Sequence, residues 1–210
     1  LRSDPATSNC QGTGCVDCSE GVRVLDRPDS LSRAHGDIHP QGNPHYNLNP
    51  ENGLRIAHNI AAGLARVDPT HDADYQKNLK TYLAELEPKI AEWKKMAAPL
   101  KGVKAISYHK DVPYLGAFTG IDFVDAIELK PGIAPTPTHL SELVKKINEQ
   151  KVTLIVREQQ YDAKTPAWLA EHTGAKVAVI GTMANALPGT ETFIKLSEAN
   201  LTNLLKASAK

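Results

Sequence analysis

The chain has 210 residues, with 24 Lys and Arg against 24 Asp and Glu, 41% hydrophobic and 23% charged, which excludes disordered and collagen-like classes. With no net charge there is no field to draw it to phosphate backbones or anionic lipids, so nucleic acid is not expected as a partner. No stretch approaches the roughly 18 apolar residues of a membrane-spanning helix, and residues 1–9 lack the apolar core of a signal peptide, so a soluble chain is expected.

Residues 1–50 are rich in Gly, Pro, Asn, Asp and Ser and read as loops around one strand-like run at residues 21–25. Cys10, Cys15 and Cys18 form a C-x4-C-x2-C cluster with no fourth cysteine, compatible with a disulfide, with free thiols or with part of a metal site. From Asn49-Pro50-Glu51 the pattern turns helical, with Ala57, Ile60, Ala61 and Leu64 on one face, until Val67-Asp68-Pro69 stops it.

A longer periodic segment covers about residues 72–97, with Tyr75, Leu79, Tyr82, Leu86, Ile90 and Trp93 on one stripe and Pro88 expected to kink it. Beyond Lys101, strand-like runs at 103–107, 123–127, 153–157 and 176–180 alternate with helical stretches at 112–119, 140–150, 165–173 and about 190–206. Thr136-Pro137 and Thr165-Pro166 each place a capping residue ahead of a proline. Strands separated by helices imply an α/β fold with a four-stranded parallel sheet and flanking helices, because parallel neighbours need crossover connections.

In an open parallel sheet, ligands gather beyond the carboxyl ends of the strands. His109 follows the first strand, Glu158 the third, and Glu191 comes after the loop beyond the fourth. A second source is the loop holding His35, His39 and His45, three of the eight histidines. Histidines between glycines and prolines have no core to fill, which favours a functional reading, above all for His45. His58, His71, His139 and His172 fall on helices or their ends and read as solvated. Imidazole together with carboxylate suits a borderline divalent ion such as zinc.

These residues carry a resemblance. Gly42-Asn43-Pro44-His45-Tyr46-Asn47-Leu48-Asn49-Pro50-Glu51-Asn52 is similar to the D-P-H-x-W-x-D-P-x-N signature of cluster A-I solute-binding proteins, the zinc and manganese receptors of ABC importers. Ser107-Tyr108-His109-Lys110, the 130–137 loop, Val156-Arg157-Glu158-Gln159-Gln160 and the final helix ending in Asn200-Leu201 resemble further parts of that family in order. The resemblance implies metal ligation by His45, His109 and Glu191. Glu191 stands nine residues before Asn200, where manganese-type relatives place an aspartate. Histidine at 109 resembles the zinc-type members, so Zn2+ is favoured over Mn2+ as the transported ligand.

The same resemblance implies three parts: 1–71 a partial N-terminal lobe, 72–100 a linking helix, and 101–210 a C-terminal α/β lobe. Most of the N-terminal lobe, which supplies a further histidine in the family, is absent from this chain, and His35 or His39 are the local substitutes. The implied protein is an extracytoplasmic receptor, periplasmic or on the outer face of the membrane. It is a monomer and not an enzyme, and it hands its metal to the membrane subunits of an ABC importer. Two rivals are a metal-dependent hydrolase using Glu158 as general base, and an adhesin or interaction domain derived from a metal receptor.

Overall fold

A computed structural model describes residue 12, residues 14–27, residue 39, residues 41–130 and residues 132–209; His35 and Cys10 lie outside the described residues. Four parallel strands, β1 (Lys104–Ser107), β2 (Asp122–Ala126), β3 (Leu154–Glu158) and β4 (Lys176–Ile180), form one sheet in the order β2-β1-β3-β4. The helices α3 (Pro113–Thr119), α4 (Pro137–Gln150) and α5 (Lys164–Thr173) are the crossovers, and α6 (Phe193–Ser208) packs back on β4. The expected fold class is the observed one.

Strand residues alternate between the two faces, and the core divides accordingly. Ala105, Leu154, Val156, Ala178 and Ile180 join Leu86, Trp93, Leu115 and Leu204 on the face covered by the long helix, α3 and α6. Ile106 and Ile155 join Leu143, Ile147 and Leu169 on the face covered by α4 and α5. Three layers result, with a central sheet wet on neither face.

Ahead of the sheet come two helices, α1 (Asn52–Val67) and α2 (Asp72–Ala97), whose 26 residues make α2 about 39 Å long. Acidic Asp72 and Asp74 sit in its first turn and Lys94 and Lys95 in its last, each matched to the helix dipole. Pro88 lies inside α2 at an exposed position. Only the second half of the expected stripe enters the core: Leu86, Ile90, Trp93 and Ala97 are buried. Tyr75, Leu79 and Tyr82 instead line an apolar groove of about 450 Å³ shared with α1 and Phe193. The α1 face behaves likewise, with Ala61 buried but Ile60 and Leu64 exposed along that groove. The two helices meet closely at Gly53, where a Cβ would stand 2.5 Å from the Phe193 ring and 3.2 Å from Leu86.

Three local expectations are corrected. Residues 21–25 form no strand: Leu25 donates its N–H to the Tyr114 hydroxyl and accepts from Asn43 N–H, so its backbone is satisfied by a side chain and a loop rather than a ladder. Thr165 lies inside helix α5 rather than capping it: the helix starts at Lys164 with Ala163 at its N-cap, and the Asp162 carboxylate just before accepts from both the N–H and the hydroxyl of Thr165. His139 is buried, not solvated, with its ring nitrogen 3.1 Å from Ala126 O and its N–H on the capping Thr136 hydroxyl.

Candidate metal centre

The chain leaves β1 for β2 on one side of it and later adds β3 on the other, so the crevice between the ends of β1 and β3 is the switch point where parallel sheets bind ligands. His109 lies two residues beyond β1 and Glu158 ends β3. Backbone pairing continues past the strands, with Ile127 N–H donating to Ser107 O and Glu128 N–H to Tyr108 O, which sets Glu128 beside His109. The His109 Nδ1 is 2.7 Å from Glu128 Oε2.

His45 reaches the same place from the N-terminal side. It precedes a single 3-10 turn, Tyr46–Leu48, whose Tyr46 and Leu48 are buried and fix the turn to the body. Asn52 donates its side-chain amide to Tyr46 O, and Asn47 donates to Thr182 O in the loop beyond β4. Asn43 joins the two histidine-bearing loops: its Nδ2 donates to Lys110 O at 2.9 Å, and its Oδ1 is 3.0 Å from both the backbone N and the Nδ1 of His45.

The result is a row of imidazoles. The ring centroids of His45 and His109 are 6.0 Å apart and nearly perpendicular, and the His39 ring stands 6.5 Å from that of His45. Two imidazoles sharing a tetrahedral zinc, each bound through a nitrogen about 2.0 Å away, would have centroids about 5 Å apart, so a shift of roughly 1 Å converts the pair into a chelate. On each ring it is Nδ1 that faces an oxygen, Asn43 Oδ1 for His45 and Glu128 Oε2 for His109.

Beneath the pair lie two carboxyl groups. Glu158 is fully buried and Asp111 nearly so, and as two carboxylates Glu158 Oε1 and Oε2 and Asp111 Oδ1 would have no donor. Burial, then the adjoining Asp111, push Glu158 up to about 10, so at neutral pH it holds a proton that it can donate to Asp111. Above them Tyr161 stacks on Tyr108 at 4.7 Å and tilts over His109 at 5.7 Å; burial raises both phenols.

Glu191 is placed differently. It is exposed, pairs with Lys195 at 2.9 Å one turn into α6, and is held below the usual carboxylate range by that lysine. Among the described residues no three His, Cys, Asp or Glu side chains are grouped to hold a metal ion, so Glu191 does not complete a three-ligand set with His45 and His109 in this structure. Of the cysteines, Cys15 is disulfide-bonded, and Cys18 is a buried thiol raised by that burial.

Glu128, Asp111, Asn43 and Tyr161 are the neighbours that sequence reasoning did not single out. Glu128 had a signal, since it follows directly on the 123–127 run just as His109 follows on 103–107.

Residues 4–207 match the family described as zinc-uptake complex component A, periplasmic (ZnuA). The chain belongs to that family. Its similarity to the ZnuA high-affinity zinc uptake protein of Brucella abortus is 29% identity over 163 residues, covering 77% of this chain and 48% of that protein. The metal ABC transporter substrate-binding lipoprotein SsaB of Streptococcus sanguinis is 28% identical over 197 residues, covering 91% of this chain and 62% of that one. The chain thus spans about half the length of the Brucella ZnuA it matches. A crystal structure of ZnuA superposes with a TM-score of 0.74 at 25% identity, covering 92% of this chain and 69% of the other. The laminin-binding protein Lmb of Streptococcus agalactiae, described as an adhesin with metal transporting activity, does so with a TM-score of 0.74 at 25% identity over 92% and 70%. A periplasmic family accords with the disulfide at Cys15, since disulfides persist in oxidising compartments. No helix among the described residues is long and apolar enough to cross a membrane.

Proposed function

We propose that this chain captures a divalent transition metal, zinc in preference to manganese, outside the cytoplasm and passes it to the membrane subunits of an ABC importer. The observation that carries this reading is the His45–His109 pair at the switch point, reached from two separate parts of the chain and backed by oxygen acceptors. Imidazole nitrogen suits zinc better than manganese, which prefers oxygen. Family membership and the zinc-uptake and metal-transport names of the relatives support the same cargo and the same importer partner.

In this reading residues 1–71 belong to one lobe, 72–100 form the linking helix and 101–210 the other lobe, so His45 and His109 bring ligands from opposite sides. Closure then depends on the metal. A further ligand comes from His39, already beside His45, or from Glu191 after it leaves Lys195, an exposed pair of the weak kind. The protein acts as a monomer and performs no chemistry on its cargo. The hydrolase alternative needs Glu158 as an accessible base, whereas that group is fully buried and holds its proton to about 10.

Calorimetric titration of the purified chain with zinc and with manganese tests the proposal. Zinc binding that is lost in a His45→Ala, His109→Ala double variant is the expected result; unchanged zinc affinity in that variant removes the ligand assignment.

A further inference from the structure

We infer that Glu128 is a positioning residue for the metal: it fixes the ring orientation and tautomer of His109 so that Nε2 alone faces the cargo, and it places a negative charge directly behind that imidazole. The inference deepens the proposed metal-capture reading and rests on it. Glu128 is 5% exposed, and its two oxygens are assigned to different partners. Oε2 meets His109 Nδ1 at 2.7 Å, and Oε1 accepts from Gly132 N–H at 2.6 Å.

The backbone around Glu128 is pinned as well. Its own N–H donates to Tyr108 O, one residue before His109, so carboxylate and imidazole are carried on two paired segments at the sheet edge. Gly132 has φ +75, a left-handed conformation that favours glycine, and its N–H donates to Glu128. A rigidly held carboxylate only accepts, so His109 Nδ1 must carry the hydrogen, and the unprotonated nitrogen is Nε2. An acceptor behind a ligating imidazole also raises the basicity of the ligating nitrogen, and removing such a partner typically lowers metal affinity about 10- to 100-fold.

This accounts for a charge that the visible ligands leave open. Two neutral histidines bring no charge to a divalent ion. Glu128 does so from behind one of them without occupying a coordination position.

Two variants test the carboxylate. Glu128→Gln removes the charge and leaves one oxygen for the two donors, Nδ1–H and the Gly132 N–H; Glu128→Ala removes the charge and both acceptors. Long-range 1H–15N correlation spectra of the metal-free protein read the His109 tautomer directly, and zinc calorimetry reads affinity. The wild type is expected to show the Nδ1–H form, whereas Ala moves towards the Nε2–H form that free imidazole prefers. Zinc affinity is expected to fall about 10-fold in Gln and up to about 100-fold in Ala. An Nε2–H tautomer in the wild type, or a tautomer and affinity unmoved in Ala, overturns the inference. If the wild type binds no zinc, the metal-capture reading fails, while the tautomer result still decides whether Glu128 positions His109.

Discussion

His45 and His109 are separated by 63 intervening residues, yet their rings stand edge to face at 6.0 Å where the first and third strands end. Neither helix packing nor hydrophobic burial requires two imidazoles to meet there. Each is held instead by an oxygen on its Nδ1 side, Asn43 for one and Glu128 for the other. Such an arrangement costs conformational freedom and fixes two imidazoles side by side.

Asn43 is expected to matter through both of its bonds. Replacing it by Ala removes the oxygen on the His45 Nδ1 side and releases the contact to Lys110 O, so zinc affinity should drop about 10-fold with little change in the melting curve. Calorimetry beside a thermal melt checks this. A variant that binds as the wild type does would show that His45 needs no such support.

Glu158 gives a pH dependence with a definite sign. Its folded value of about 10 lies above its ordinary 4.5, so it carries no penalty below about 4.5 and a growing one as pH rises. The slope is at most about 1.4 kcal/mol per pH unit for one proton. Glu158→Gln, whose amide can donate to Asp111, should flatten that decline and leave the protein more stable at pH 9 than the wild type. Urea unfolding at pH 5, 7 and 9 measures it; an equal slope in both proteins would mean that Glu158 ionises freely.

Asn200 closes the sheet from α6. Its buried side chain accepts from Gly181 N–H and donates to Gly181 O, both at 2.8 Å. Asn200→Ala leaves both backbone groups unpaired at the end of β4, a loss of about 2–4 kcal/mol. Denaturant midpoints would reveal it, and a change under about 0.5 kcal/mol would indicate that water replaces the amide.

The α1–α2 corner provides the acid limb. Hydrogen bonds from Thr70, Tyr75 and His71 lower Asp68 to about 2, so its contribution is complete above its ordinary 3.8 and is lost as pH falls towards 2. Carboxyl NMR should find an Asp68 midpoint near 2, displaced upward when Tyr75 is replaced by Phe. A midpoint near 3.8 in the wild type contradicts the corner geometry.

The α/β half was legible because local signals and tertiary structure agree there: β-branched runs between capped helices admit one sheet topology class, and β4 occupies residues 176–180 as read. The periodic stripe of α2 was legible as a helix but not as a burial map, because periodicity gives a face and not the neighbour that covers it. His139 was misread for the same reason, since its burial depends on Ala126, which lies across a loop. Residues 21–25 have strand composition but bond to Tyr114 and Asn43, partners 89 and 18 positions away from Leu25 that no local pattern announces. Loop chemistry and strand ends singled out His45 and His109, whose rings the fold brings to within 6.0 Å of each other. Glu191 was located by counting along a helix, which fixes position but not direction, and its carboxylate lies with Lys195.

X-ray absorption at the zinc edge of the loaded chain tests the central claim most directly. The account predicts at least two imidazole nitrogens at about 2.0 Å from zinc, with the imidazole scattering lost in the His45→Ala, His109→Ala protein. A zinc environment without imidazole, or one that the double substitution leaves unchanged, would contradict it.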